Sequence, residues 1–290
     1  MNTAVLPPPG AVPASLSEEA LARESARAQA ALRRRRWIII SLRLLFLIVV
    51  LGGWELLARL KWIDPFFYSQ PSLIWEQIVE WQRDGTSQGP LWVQIAVTLE
   101  ETIIGFLIGG AGGILFGILL GRNKLLADVF SIYIKIANSI PRVVLGSVFV
   151  IALGLGMASK VALAVVMVFF VVFGNAFQGV VEADKYLIAN ARILGASPRQ
   201  VTTAVVIPSA MSWILASLHV SFGFALVGAV VGEFLGAKQG MGLLIATAQG
   251  AFNASGVFAA MILLAAVALV ADFALTRLEG RLLKWRPAAF

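Results

Sequence analysis

The sequence predicts an all-α membrane protein of about six transmembrane helices, with the N- and C-termini both cytoplasmic. Of its 290 residues 59% are hydrophobic and only 13% are charged, about half the charged share of an ordinary soluble domain, and the mean hydropathy is +0.86. Runs free of Asp, Glu, Lys and Arg recur at 102–121, 143–159, 161–181, 200–232 and 239–271, each near or above the roughly 20 residues that cross a bilayer as a helix. Lys and Arg set the orientation, because cytoplasmic loops hold the excess of positive charge. The arginines of the N-terminal arm, Arg122 with Lys124, Lys185 with Arg192 and Arg199, and Arg277 through Arg286 fall on one side, leaving Arg59, Lys61, Arg83, Lys160 and Lys238 outside.

Residues 1–14 ("MNTAVLPPPGAVPA") read as a disordered, low-complexity tail and not as a cleavable signal peptide. From Ser15 the chain reads as a cytoplasmic or interfacial helix, opened by a Ser15–Glu18 capping box and closed by Arg33 to Arg36, which suit a helix C-terminus and a lipid surface. Residues 1–36 are thus expected to stand apart from a transmembrane domain over 37–290. Its spans are expected at about 37–60, 92–120, 127–154, 159–181, 210–235 and 255–277. In the first, Arg43 and Arg59 lie near the ends and can snorkel, whereas Glu55 is harder to place.

Before the second span, Pro71 or Ser72 begins a short outer-surface helix, with Leu73, Ile78 and Val79 toward the membrane and Trp75 and Trp81 at the interface. The second span carries Gly105, Gly109, Gly113, Gly117 and Gly121, one every four residues. Glycine weakens a helix interior, so a ridge of them implies close backbone approach by a neighbouring helix. In the third span Pro141 either breaks the helix into two segments or marks its start after an interfacial stretch. Broken backbone at membrane depth is tolerated in buried protein or along a water-filled path, which makes Pro141 and Arg142 candidates for lining a translocation pathway.

The stretch "ARILGASPRQVTTAVVIPSA", residues 191–210, breaks two long apolar runs with start and stop chemistry. A helix from about Asp184 or Lys185 to Leu194 ends at Gly195 in the left-handed conformation. Ser197 and Pro198 then cap and start a second short helix, and Pro208 marks the fifth span. This helix, turn and helix lie on the cytoplasmic side over 183–209.

At these residues the chain resembles the inner-membrane permeases of binding-protein-dependent ABC importers. Their cytoplasmic signature runs Glu-Ala-Ala, three residues, Gly, nine residues, Ile, one residue, Leu-Pro. Setting its Gly on Gly195 places the triplet on Ala189, Asn190 and Ala191 and the end on Val205 to Pro208. Ala191, Gly195 and Pro208 match, Val205 and Ile207 match in character, and the family's Glu is Ala189.

The likeness extends over roughly 91–280, where "TLEETIIGFLIGGAGGILFGILLGR", "SIPRVVLGSVFVIALGLGMASK" and "VVGEFLGAKQGMGLLI" look like the branch importing nitrate, sulfonates, taurine and bicarbonate. It implies a type I ABC importer permease fold and a homodimer of permeases. It also implies two cytoplasmic ATPases, which bind the ATP and Mg2+, and a periplasmic or extracellular substrate-binding protein. On that resemblance Ala189, Ala191, Arg192, Gly195, Ala196, Ser197, Pro198, Val205, Ile207 and Pro208 contact or couple to the ATPase, and no cofactor belongs to this chain.

Other chemistry is sparse. "GLGMASK", 154–160, lacks the Gly-Lys-Ser/Thr ending of a phosphate loop and reads as a tight outer turn. The net charge of +7 suits the inner leaflet and not nucleic acid. With no cysteine and one histidine, thiolate chemistry and multi-imidazole metal sites are excluded. His219, in the fifth span, lines a pathway or makes a hydrogen-bonded helix contact. Glu233, near the outer end of that span, reads as a gate brace or charge filter. Glu100 and Glu101 read as solvated near the outer interface, and Asp272 as paired with Arg277. An intramembrane enzyme would need converging acids, bases or metal ligands, which are missing. A secondary transporter or channel working without an ATPase is the alternative, and it would show repeats or paired broken helices.

Overall fold

The structure, a computed structural model, describes residues 18–282, and the tail 1–14 and the Ser15 cap lie outside them. Every extended element among these residues is a helix, apart from one isolated bridge between Thr86 and Gly89. In chain order they are α1 (Glu18–Arg59), α2 (Pro65–Tyr68), α3 (Pro71–Arg83), α4 (Leu91–Gly121), α5 (Lys124–Ser139), α6 (Leu145–Leu153), α7 (Met157–Val181), α8 (Lys185–Ile193), α9 (Pro198–Val201), α10 (Ile207–Leu235), α11 (Met241–Gly250) and α12 (Ala254–Leu282). A 3-10 turn, Arg142–Val144, precedes α6, and a π segment, Thr202–Val206, joins α9 to α10. Five stretches are long and apolar enough to cross a membrane: Gln29–Arg59, Leu91–Gly121, Met157–Val181, Pro198–Leu235 and Ala254–Arg277.

The chain divides into two units, Met1–Ile63 and Asp64–Phe290. The described part of the first is dominated by α1, which runs unbroken through Arg36 and Trp37 because no Gly or Pro stands there to stop it. Its awkward acid is explained locally. Arg59 Nε donates to Glu55 Oε1 at 2.7 Å from one turn away, so the carboxylate travels with its own countercharge.

The second unit is built around α7. A Cβ at Gly109 would lie 2.7 Å from the Val165 carbonyl oxygen, and one at Gly113 would lie 2.9 Å from both Phe169 O and Phe173 N. Gly117 meets Phe173 O at 2.9 Å, and Gly105 and Gly121 press on Ala164 and Val180 in the same way. The glycine ridge of α4 is therefore laid along the α7 backbone, as its spacing predicts. From another side α10 does the same, with Gly228 against Ala164 Cα at 2.7 Å and Gly232 against Lys160 Cα at 3.1 Å. Between them Leu163, Ala164, Val168, Val172 and Ala176 are fully buried. In lipid, apolar faces gain little by meeting, so this dense backbone contact supplies the association that burial supplies in water.

The third expected span is two pieces. α5 ends at Ser139, Ile140 and Pro141 take extended backbone with ψ of 126° and 96°, and the 3-10 turn and α6 follow. Pro141 has no N–H to give and forces the residue before it out of the helical region. Arg142 then lies with its guanidinium 5.1 Å from the Phe170 ring centre on α7.

At one end of the bundle α2, α3, the 84–90 loop, α11 and the start of α12 are tied by polar side chains. Ser69 and Ser255 hydroxyls lie 2.7 Å apart, Asn253 donates to Gln77 at 2.8 Å, and Gln88 donates to Thr247 at 3.0 Å. Here the expected interfacial role of Trp81 is corrected. Ile74 and Trp81, seven residues apart on one face of α3, are buried, whereas Trp75 is 66% exposed.

Gly113→Val should lower stability by about 1–3 kcal/mol through overpacking against backbone that cannot retreat. Gly174→Ala, where nothing lies within 4 Å of the added carbon, should instead raise the thermal unfolding midpoint in detergent slightly, since alanine is favoured over glycine inside a helix by about 0.5–1 kcal/mol.

Candidate functional site

The polar insert between α7 and α10 folds as its residues dictate. Asp184 caps α8 by accepting from the Tyr186 and Leu187 amides at 2.7 and 3.4 Å. At the other end Gly195, with φ of +82°, donates to Arg192 O, and Ala196 donates to Ala191 O, both at 3.0 Å. These two bonds close the helix in the paired manner that a left-handed glycine allows. Ser197 and Gln200 then cap each other reciprocally: Gln200 Oε1 accepts from Ser197 N at 2.7 Å and Ser197 Oγ accepts from Gln200 N at 3.4 Å.

The second helix does not end before the fifth span. α9 passes through the π segment into α10, where Ile207 N donates to Thr202 O, so Pro198–Leu235 is one helical rod of 38 residues. Pro208, in its first turn, lacks an N–H, and a shift to five-residue bonding just upstream accommodates that without a stop. Thr202, Thr203 and Ser209 hydroxyls return bonds to carbonyls of the preceding turn at 2.7–3.0 Å. At 1.5 Å per residue the rod is about 57 Å long, well beyond a hydrocarbon core of about 30 Å.

The structure places Ala189, Ala191 and Arg192 on α8, Gly195 and Ala196 in the turn, Ser197 and Pro198 at the α9 cap, Val205 in the π segment, and Ile207 and Pro208 at the head of α10. Ile188, Ala191, Ala196, Val201 and Val206 seat the insert on a cluster with Ala176, Val180, Ala210 and Ile214. Its other face presents apolar side chains that sequence reasoning passed over: Tyr186 and Ile193 are each 82% exposed and Leu194 is 87% exposed. Their signal was bulk apolar residues in a segment otherwise polar.

A second polar assembly lies at the opposite end of α10. Glu233 is fully buried, and its carboxylate accepts from Thr98 Oγ1 at 2.7 Å and from Gly242 N at 2.6 Å. Thr98 Oγ1 in turn accepts from Met241 N at 2.8 Å, and Gln94 Oε1 accepts from Gly240 N at 2.8 Å. Three consecutive amides at the head of α11 are thus each met by a side chain from α4 or α10. Neither Gly240, with φ of +118°, nor Gly242 has room for a Cβ, which would strike the Glu233 carboxylate or the Val230 carbonyl.

Two sequence expectations are corrected beside this assembly. Glu101 is buried, with Glu233 of α10 and Lys160 of α7 beside it, and not solvated, while Glu100 stays exposed. Lys160 belongs to the first turn of α7 and not to the turn before it. It is fully buried, and its ammonium donates to Leu155 O, Gly156 O and Ser159 Oγ at 2.8–3.2 Å.

The remaining pathway candidates are dispersed. Pro141 and Arg142 sit at the α5–α6 break, and His219 lies mid-α10 with Nε2 3.1 Å from Asp272 Oδ1 of α12. That contact replaces the expected pairing of Asp272 with Arg277, whose guanidinium instead stacks 4.6 Å from the Phe273 ring centre.

A family model described as the binding-protein-dependent transport system inner membrane component matches residues 113–284. The taurine transport system permease protein TauC of Escherichia coli (strain K12) is 27% identical over 254 residues, covering 86% of this chain and 92% of that protein. The formylaminopyrimidine transport permease protein ThiX of Halalkalibacterium halodurans is 27% identical over 242 residues, covering 83% of this chain and 94% of that protein. Among solved structures, a chain of the inward-facing MetNI methionine ABC transporter aligns with a TM-score of 0.57 at 21% identity, over 65% of this chain and 94% of that one. That likeness shows the fold: an all-helical type I importer permease.

Thr98→Val keeps the volume but strands the Met241 amide and one oxygen of Glu233 in a dry site, at a cost of about 1–3 kcal/mol. Ser197→Ala, at an exposed cap, should cost about 1 kcal/mol. Thermal unfolding of the two variants in the same detergent checks both values.

Proposed function

The chain belongs to the family of binding-protein-dependent transport system inner membrane components, a multi-pass transport subunit and not an enzyme, and on that premise we propose that it moves a small anion of the sulfonate kind by alternating access driven by a separate ATPase. Two copies form the pathway, two ATPases hold ATP and Mg2+ on the cytoplasmic side, and an external binding protein delivers the solute. Both chain termini face the cytoplasm, and the region 183–209 is the coupling element. A taurine permease among its relatives supports a sulfonate, and the formylaminopyrimidine permease makes a formylaminopyrimidine the competing cargo.

The observation that carries this reading is the insert itself. A helix capped at both ends holds Tyr186, Ile193 and Leu194 out into solvent, where isolated they would be an aggregation hazard and against a partner's groove they are a grip. What pushes on that grip pushes on the α9–α10 rod, because Ile188, Ala191 and Ala196 pack with Val201, Val206, Ala210 and Ile214 in one cluster, and the π segment continues α9 into α10 without a break. A rigid-body motion of the partner therefore reaches the far end of α10 as a rigid-body motion. Ala189, which stands where relatives of this type carry a glutamate, leaves contact with the partner to the apolar residues.

The test is reconstitution of the permease with the ATPase encoded beside it. The two should co-purify, and taurine or another sulfonate should enter vesicles only with both subunits, ATP and the binding protein present. Gly195→Val forces a β-branched residue into φ of +82°, and should leave the complex assembled and hydrolysing ATP while uptake falls about tenfold. Uptake that proceeds without any ATPase overturns the reading.

A further inference from the structure

We propose that α11 is a strap that moves as one body with α10 and parts from the adjacent rim formed by α3 and the 84–90 loop, and that Gln94, Thr98 and Glu233 are the positioning residues that keep it fastened to α10 and α4. This rests on the transport reading above.

The two ends of α11 are held very differently. At its head, the amides of Gly240, Met241 and Gly242 are bound by Gln94, Thr98 and Glu233, all of them at most 1% exposed. One of the acceptors is a carboxylate set against the positive end of the helix, and such charge-assisted bonds are roughly twice as strong as neutral ones. The glycines at 240 and 242 let α11 sit directly on Glu233 and the α10 backbone. At its tail, the contacts to the rim formed by α3 and the 84–90 loop are neutral: Gln88 to the exposed Thr247, and Gln77 to Asn253 just beyond the helix. A cavity of about 570 Å3 lined by Gln77, Trp81, Leu244 and Thr247 separates α11 from α3 along this side.

The joint to α12 is also unusual. Phe252, a bulky residue, holds φ of +54° and stacks on Phe66 of α2 at 6.4 Å. Few non-glycine residues keep that backbone, and those that do cluster at sites of switching or strain. When α10 moves, the weaker fastening gives way first. α11 stays with α10, pivots at Phe252 and parts from the rim at Gln88–Thr247.

The chain contains no cysteine, so introduced pairs report without background from the permease itself. In the reconstituted complex, Gln88→Cys with Thr247→Cys should be joined by a short, reducible bis-methanethiosulfonate crosslinker in the nucleotide-free state, since the Gln88 side chain spans the gap to Thr247. Uptake should then fall about tenfold, ATP hydrolysis should persist, and reduction should restore uptake. A second measurement uses spin labels. The distance between positions 234 and 249, on α10 and α11, should stay fixed between nucleotide-free and ATP-trapped states, while that between 83 and 249, on α3 and α11, should change. Full uptake with the crosslink in place, failure of the crosslink to form, or the reverse pattern of distances overturns the strap. A complex with the unaltered permease that takes up nothing overturns the transport reading, and the strap falls with it.

Discussion

The structure depends on the contact of α7 with bare backbone on two other helices. Water drives soluble helices together, but lipid does not, and helices in a bilayer hold by approaching closely enough for dispersion to accumulate. Gly109 and Gly113 of α4 and Gly228 and Gly232 of α10 remove the side chains that would keep the axes apart. The result is a three-helix frame in which α10 is located from both ends. α7 is thus the common backbone surface on which both α4 and α10 are seated.

The rod itself shows how a proline can be used without ending a helix. Pro208 ought to separate the short α9 from α10, and a sequence reader takes it as the point where the span begins. The chain instead adopts five-residue bonding over Thr202–Val206 and lets Thr and Ser hydroxyls occupy carbonyls of the adjoining turns. A loop there would absorb displacement, whereas a widened helix passes it on. The same residue type has the opposite effect at Pro141, where the chain separates α5 from α6. The difference lies in the residue before each proline: Ile207 keeps helical backbone with φ of −63° and ψ of −47°, whereas Ile140 is extended with ψ of 126°.

Local chemistry explains what was legible in advance. The four-residue glycine spacing, the left-handed Gly195 and the Ser197–Pro198 cap each depend on residues within one or two turns, and each has the expected form in the structure. Glu101, Lys160 and Trp81 were misjudged for the opposite reason. Nothing near Glu101 in sequence says that α10 will return beside it, and the bond from Thr98 to Glu233 spans 135 positions. Lys160 follows a glycine-rich turn, where a lysine reads as solvated, yet α10 places Gly232 directly against it. Burial of this kind is a tertiary decision, and a single sequence holds few marks of it. The exposed Ile193 and Leu194 were legible in principle, since large apolar residues beside a helix stop have no reason to face water unless something else covers them.

The polar assembly at the head of α11 also has a reason to be polar. Within a span, α10 and α4 satisfy their own backbone, but a short helix that begins there brings several amides with no partner in the chain. In a dry interior each costs free energy comparable to a lost hydrogen bond. Apolar packing cannot meet that cost, so acceptors must come from the neighbours, and Gln94, Thr98 and Glu233 are spaced to provide them in order. Burying a carboxylate is costly in turn. It is offset by the amide and hydroxyl donors, by the positive end of the helix and by Lys160 nearby, whose ammonium is itself held by Leu155, Gly156 and Ser159. Each buried charge therefore holds a different joint: Lys160 the turn from α6 to α7, and Glu233 the seat of α11.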